Sequence, residues 1–443
     1  MARWVLGLLL VLSSAALIPW ALRRGEELSA ARNIVLYRLE KKWEAVFGPV
    51  EFSVPLKGGS EPGGALAGTI RDKAGRPLAG AVALVAGPTG VTYAARSGPD
   101  GRYRIAPVPP GYYLPVAAKG GYHDAVYRWP LLGLRRDVRV RPGFEVGGVN
   151  FWLQPAPRRR GQADDSLRLG VVEMTWTALP EPKEARRRTF SFSRAGQSVE
   201  GGLVYEPVEG EGPFPTLLVI YPDAALNWDV VSAAVAAQGY VIVAVAPVHG
   251  LHLEEDVDDL LKVVAFIKDG RLSPLADGQR LGLMAGSFTS LHAYRLAQTS
   301  PDIDAVLILG GISDAFLFRR AFEEGKVFLQ PPLDSIVIGL GRPTLQSEVY
   351  LRYSAAYHLE GLPPLSIIHG ESDETVPYDQ ALSFAQALAA SDVEHEVYLY
   401  LGLKHYFLEQ YFREGTPDPI TLDMFAVTLD FFARRLNIPE EDR

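Results

Sequence analysis

The period of apolar and polar positions changes several times along the chain. Residues 4–22 form an apolar run without a charged side chain, roughly 28 Å long as a helix and close to the thickness of a bilayer core. Beyond it, Leu28, Ala31, Ile34, Val35, Leu39, Trp43, Val46 and Phe47 recur three and four residues apart, which predicts one amphipathic helix stopped by Gly48-Pro49. Such a helix either packs on a neighbouring domain or lies on a membrane surface. Residues 57–64 are glycine-rich and read as a flexible linker. From 65 to 155, short β-rich runs alternate with turn sequences such as Asp72-Lys-Ala-Gly75 and Gly98-Pro-Asp-Gly101, the spacing of a β-sandwich.

A charged linker, 156–165, separates that segment from a third one, 166–443. Strands near 168–176, 188–193 and 201–207 precede strands near 216, 241, 281, 305, 365 and 396, the latter separated by helical stretches. This alternation predicts an α/β domain with a mostly parallel sheet and helices on both faces. The final pattern predicts a helix over 419–436 that buries Leu422, Phe425, Leu429 and Phe432. Residues 314–357 exceed what one helix and one strand need. Their aromatic and aliphatic content (Phe316, Leu317, Phe318, Phe322, Val327, Phe328, Ile336, Val337, Ile338, Tyr350, Tyr353) predicts a helical lid.

The chain has 443 residues, 48% hydrophobic and 22% charged, enough for two or three globular domains. A formal net charge of −8 argues against a nucleic-acid partner. The absence of cysteine excludes disulfides, thiolate zinc sites, a cysteine nucleophile and a lipidated lipoprotein cysteine. Residues 1–24 read as a membrane anchor, the alternative being a signal peptide cleaved after Ser14 and Ala16. Both readings place the protein at or beyond the cytoplasmic membrane, on its outer face or secreted. Glu254, Glu255, Asp256, Asp258 and Asp259 suit a helix N-terminus better than a metal or amine site. His249 reads as a turn residue near the site. No phosphate loop or His-Glu-x-x-His motif occurs, and no metal or other cofactor is expected.

The chemistry concentrates at three strand ends. In Leu281-Gly-Leu-Met-Ala-Gly-Ser-Phe-Thr-Ser290 an apolar strand turns sharply into a helix at Ser287, the position of a nucleophilic serine on a strand-to-helix elbow. Ala285 and Thr289 stand where such elbows usually carry their outer glycines. Asp373 follows the strand at 365–370 and His405 the strand at 396–400. The order Ser, Asp, His is that of an α/β-hydrolase. A serine hydroxyl needs a histidine to remove its proton, and a carboxylate then holds the imidazole in the useful tautomer.

With these pieces, 188–436 resembles the hydrolase domain of the prolyl oligopeptidase and dipeptidyl-peptidase-like family. The matching segments are Gly212-Pro-Phe-Pro-Thr216, Gln238-Gly-Tyr-Val-Ile-Val243, Arg280-Leu-Gly-Leu-Met-Ala-Gly-Ser-Phe288, His369-Gly-Glu-Ser-Asp-Glu-Thr-Val-Pro377 and Lys404-His-Tyr406. The resemblance implies Ser287 as nucleophile, Asp373 as orienting acid and His405 as general base. Where many relatives carry His-Gly, this chain has Tyr221-Pro-Asp-Ala-Ala225. The oxyanion donors would then be the backbone N–H of Phe288 and that of Asp223 or Ala224, since Pro222 has none, and the Asp223 carboxylate would have to point away. Segments 68–82 and 98–113 resemble the carboxypeptidase regulatory-like, transthyretin-like module, some related folds of which bind carbohydrate. Trp129 or Tyr122 could stack a sugar ring, with packing as the alternative.

These readings predict an extracytoplasmic serine hydrolase, esterase or peptidase, acting on small, partly apolar esters or short peptides. The alternative is a catalytically impaired hydrolase fold that binds cell-wall carbohydrate or a partner protein.

Overall fold

The computed structural model describes residues 25–47, 63–129, 133–194, 196–247, 252–329, 333–408 and 413–436. The apolar run 4–22, most of the 57–64 linker and His249 lie outside the described residues. No helix among the described residues is long and apolar enough to cross a membrane.

The helix Gly25–Phe47 forms, but its inward side differs from the expected stripe. Asn33 donates to the carbonyl of Gly339 at 2.9 Å, and the Tyr37 ring lies 6.5 Å from Phe322 and 5.4 Å from the Arg319 guanidinium. Val35 and Leu39 are exposed, with Leu36 beside them. The lid offers this helix a carbonyl, a buried guanidinium and an aromatic ring, so polar and aromatic side chains face it while Val35, Leu36 and Leu39 turn outward.

Next comes a sandwich of two main sheets. One pairs Gly64–Asp72 with Arg102–Val108 and Phe151–Pro155; the other pairs Val82–Ala86 with Thr92–Arg96 and Val116–Ala118. Leu66, Ile70, Val85, Tyr103 and Phe151 fill the space between them. Strand Val82–Ala86 is apolar at every position and buried on both faces. Ala83 and Val85 face the sandwich interior, whereas Val82, Leu84 and Ala86 join the core of the next domain. An unbroken apolar run, rather than alternation, is the pattern such a two-sided strand requires. Elsewhere on the sandwich, the Arg136 guanidinium lies 4.0 Å over the Trp129 ring, and Tyr122 is partly buried against the core.

The third segment is built on a ten-stranded sheet. Strands Lys183–Arg194 and Gln197–Pro207 are antiparallel, and Gln197–Pro207 runs antiparallel to Val241–Val245. From there Phe214–Ile220, Ala276–Gly286, Ala305–Leu309, Leu365–Gly370 and His395–Tyr400 follow in parallel. Helices Asp229–Ala236 and Pro419–Arg435 cover one face, Leu253–Lys268 and Ser290–Thr299 the other. This is an α/β-hydrolase fold. The closing helix buries Phe425 and Phe432 and partly buries Leu429, but Leu422 is exposed, and Met424 and Phe431 take the inner positions. The acidic cluster opens helix Leu253–Lys268, with Glu254, Asp256, Asp258 and Asp259 paired to Arg295, His292, Arg159 and Arg194.

Because Phe214–Ile220 lies between Val241–Val245 and Ala276–Gly286, the chain leaves its C-terminal end in one direction and Ala276–Gly286 continues in the other. A crevice opens at such a switch point. The lid, Ala315–Glu323, Leu333–Gly339 and Ser347–Arg352, stands over it and packs against the sandwich. Polar contacts fasten that junction: Lys119 to Glu360 at 3.1 Å and Asp124 to buried His358 at 2.7 Å. Burial works against charge on His358, but the Asp124 carboxylate and the Ser354 carbonyl outweigh it and raise its pKa. A raised folded-state value stabilises fully below the ordinary histidine value of ~6.5, and this contribution fades as pH rises through the folded value. Asp124→Asn should therefore cost roughly 1–3 kcal/mol at pH 6, and the difference from wild type in thermal denaturation should shrink at high pH. An equal difference at all pH values would show that His358 is not charged there.

Candidate functional site

Strand Ala276–Gly286 ends in the turn that carries Ser287, the only non-glycine residue among those described with positive φ, at 52°. A left-handed backbone at a serine costs of order 1–3 kcal/mol and persists only where its surroundings over-determine it. Here they do. A Cβ on Gly286 would come within 2.8 Å of the Leu309 carbonyl, so this glycine lets the strands close up. Thr289, where a glycine is usual, is fully buried and donates to the carbonyls of Ile220 at 2.6 Å and Gly286 at 2.8 Å. It ties the start of the helix to the adjacent strand, a cross-link no glycine can make.

Asp373 sits in the loop after Leu365–Gly370. Its Oδ1 accepts from the backbone N–H groups of Thr375 at 2.9 Å and Val376 at 2.7 Å, leaving Oδ2 for His405. That loop meets the one carrying His405 closely, since a Cβ on Gly370 would lie 2.1 Å from the Leu403 carbonyl. His405 Nδ1 is 2.8 Å from Asp373 Oδ2 and its Nε2 is 3.0 Å from Ser287 Oγ. The three residues, far apart in sequence, thus form one hydrogen-bonded chain in the crevice. Such a chain can take the serine proton during attack on a carbonyl and return it to a leaving group.

Phe288 and Asp223 line the same cavity as Ser287, and Ala224 immediately precedes the turn Ala225–Trp228. The Asp223 carboxylate accepts hydrogen bonds from Asn227 at 3.1 Å and from the Trp228 indole. Both of its oxygens are thereby engaged by side-chain donors. Trp228 stacks on Tyr221 with centroids 5.2 Å apart.

Two further residues support the site: Gly310, which escaped the sequence reading, and His369, which lies in one of the segments that carry the resemblance. Gly310, at φ 52°, lies where a Cβ would stand 3.2 Å from Asp373 Oδ2 and 3.6 Å from His405 Nδ1; the glycine pair closing strand Ala305–Leu309 was its only signal. His369 is buried beneath the chain, donating from Nε2 to the Val376 carbonyl at 2.9 Å and lying 3.6 Å from Asp373. Burial lowers its pKa, reinforced by His405 and opposed by Val376 and Asp373. Among the described residues no group of three or more metal-binding side chains occurs.

Residues 65–154 match the carboxypeptidase regulatory-like domain and residues 246–437 the prolyl oligopeptidase family. No curated protein matches the chain. Similar solved structures include an acylaminoacyl peptidase in complex with Z-Gly-Gly-Phe-chloromethyl ketone, at 16% identity and TM-score 0.47 over 82% of this chain and 62% of that one. The Pyrococcus horikoshii acylaminoacyl peptidase aligns at 17% identity and TM-score 0.47, over 79% and 60%. Thermogutta terrifontis esterase 2 phosphoramylated by tabun aligns at 16% identity and TM-score 0.41, over 56% and 94%. The chain thus spans about three-fifths of the length of these two peptidase structures.

Two outcomes follow from the local packing. Thr289→Val should lower stability by roughly 1–3 kcal/mol, because the one hydroxyl proton shared by the Ile220 and Gly286 carbonyls is lost in a buried setting; denaturant titration measures it, and an unchanged midpoint would rule out the cross-link. A depressed histidine pKa means that below ~6.5 the unfolded chain takes up a proton the folded one refuses. Part of the loss of stability on acidification should therefore disappear in His369→Gln, and an unchanged acid slope would contradict a neutral buried imidazole.

Proposed function

We propose that this chain, whose residues 246–437 belong with the prolyl oligopeptidase family, is a serine hydrolase acting through Ser287, His405 and Asp373. One observation carries the reading: the unbroken hydrogen-bonded chain from Asp373 Oδ2 through His405 to Ser287 Oγ, with the serine held in a left-handed backbone in the wall of a cavity. In the proposed reaction His405 Nε2 takes the Ser287 proton as Oγ attacks the substrate carbonyl. Asp373 keeps Nδ1 protonated and stabilises the imidazolium. The oxyanion would be received by the N–H of Phe288 and that of Asp223 or Ala224. His405 then protonates the leaving group, and water repeats the sequence on the acyl-enzyme.

Esterase chemistry on small, partly apolar substrates is favoured over cleavage of folded proteins. The cavity is about 400 Å³, the size of a small-molecule site, and the lid stands over it. The apolar run at 4–22 supports action at the outer face of the cytoplasmic membrane, with that run as the membrane contact. Contact of the sandwich with carbohydrate is a further proposal, resting on the exposure of Trp129.

Hydrolysis of p-nitrophenyl butyrate by the full-length chain should fall by at least about a thousandfold in Ser287→Ala and His405→Gln. Ser290→Ala should retain turnover: Ser290 Oγ is bonded to the carbonyl of Ser287 and to that of Ile312 in the loop after Ala305–Leu309, not to His405. Wild-type rates in Ser287→Ala would refute the assignment.

A further inference from the structure

The cavity at Ser287 takes its lining from both faces of the sheet. Its lining falls into two groups, taken here as two arms: Phe318, Leu333, Ile336, Val337, Leu340 and Tyr350 from the lid side, and Tyr221, Trp228, Val231, Met284, Phe407 and Met424 from the opposite face. Phe318, Val337 and Tyr350 of the first set, with Leu333 and Leu340 against them, belong to the core shared with the sandwich and lid, Ile336 lies on the lid helix Leu333–Gly339, and the second set belongs to the core beneath the closing helix. Ser287 sits between them, at the ends of strands whose alternate residues point to opposite faces.

The polar tips of the aromatic walls are turned away. Tyr350 donates to the Gly341 carbonyl at 2.7 Å, Tyr221 shares a hydrogen bond of 2.9 Å with Ser232, and the Trp228 indole N–H is spent on Asp223. Of the charged lining groups, Asp373 holds His405, Asp223 is held by Trp228 and Asn227, and Lys404 is exposed. The arms therefore offer hydrocarbon and ring faces. A peptide occupying both would bring backbone N–H and C=O groups that need partners, whereas a hydrocarbon chain needs none.

We infer that the substrate is a neutral ester with hydrocarbon on both sides of its carbonyl, an aliphatic acyl chain in one arm and an apolar alcohol in the other. This rests on the hydrolase reading above and names its substrate class. In acylation the Ser287 Oγ–carbonyl carbon bond forms and the bond to the alcohol oxygen breaks, the proton passing from Ser287 through His405 to the alcohol. Water then releases the carboxylic acid and restores the serine.

The test uses the full chain with two ester series, p-nitrophenyl acetate to octanoate and methyl to hexyl butyrate, alongside short peptide p-nitroanilides. Each added methylene should raise kcat/KM roughly three- to fourfold until the arm is full, the equivalent of about 0.8 kcal/mol per buried methylene. Ile336→Trp, which fills the lid arm, should lower the octanoate-to-acetate ratio of kcat/KM by at least tenfold. Leu340→Phe, a smaller change in the same wall, should lower it in the same direction, and thermal denaturation verifies that both variants fold. Ester turnover that depends on Ser287 but is flat or falling with chain length, or peptide anilides cleaved faster than esters, would overturn the two-armed substrate and leave the hydrolase standing. No turnover of any ester or anilide would overturn both.

Discussion

The whole site hangs on the tight turn at Ser287. Its positive φ is tolerated because Gly286 lets the strand end lie against Leu309 and Thr289 locks the helix to the carbonyl of Ile220. Both anchors belong to the strands on either side of Ala276–Gly286, so the serine is held by buried strands of the sheet. The loops bearing Asp373 and His405 are then free to converge on it from neighbouring strand ends. Stability of the sheet and geometry of the site are here one problem, which is why the strain at a single residue can persist.

A second constraint concerns the cover of that site. The lid is enclosed between the domain body, the helix Gly25–Phe47 and the sandwich strand Val82–Ala86, whose two faces serve two cores. Buried Arg319 pairs with Glu323 and donates to the Val337 carbonyl at 2.9 Å, while its guanidinium faces Tyr37 of the first helix. The sandwich is thus part of the framework that shapes the lid arm, because a lid of short helices cannot bury enough apolar surface alone.

Much of this was legible in the chain. The change from turn-punctuated β runs to strands alternating with helices marks the passage from sandwich to parallel sheet, since each period reflects which faces are buried. The serine, acid and histidine stand out because each follows an apolar strand, where a parallel sheet exposes its loops. Other features depend on partners that periodicity cannot name. The outward turn of Val35 and Leu39 follows from the polar and aromatic surface of the lid, and the exposure of Leu422 from where the closing helix meets the sheet. The direction of the Asp223 carboxylate is decided by Trp228, five residues on. Thr289 looks like a defect in a glycine motif until its two carbonyl partners are seen, and Gly310 is invisible until Asp373 and His405 are brought beside it.

The central claim is that Ser287, in this strained turn and hydrogen-bonded to His405, is the nucleophile. Reaction of the native full-length chain with a fluorophosphonate, followed by tandem mass spectrometry of the digest, tests it directly. A single adduct on Ser287, absent after heat denaturation, is the expected result. An adduct on another serine, or none under conditions that label a control serine hydrolase, would contradict it.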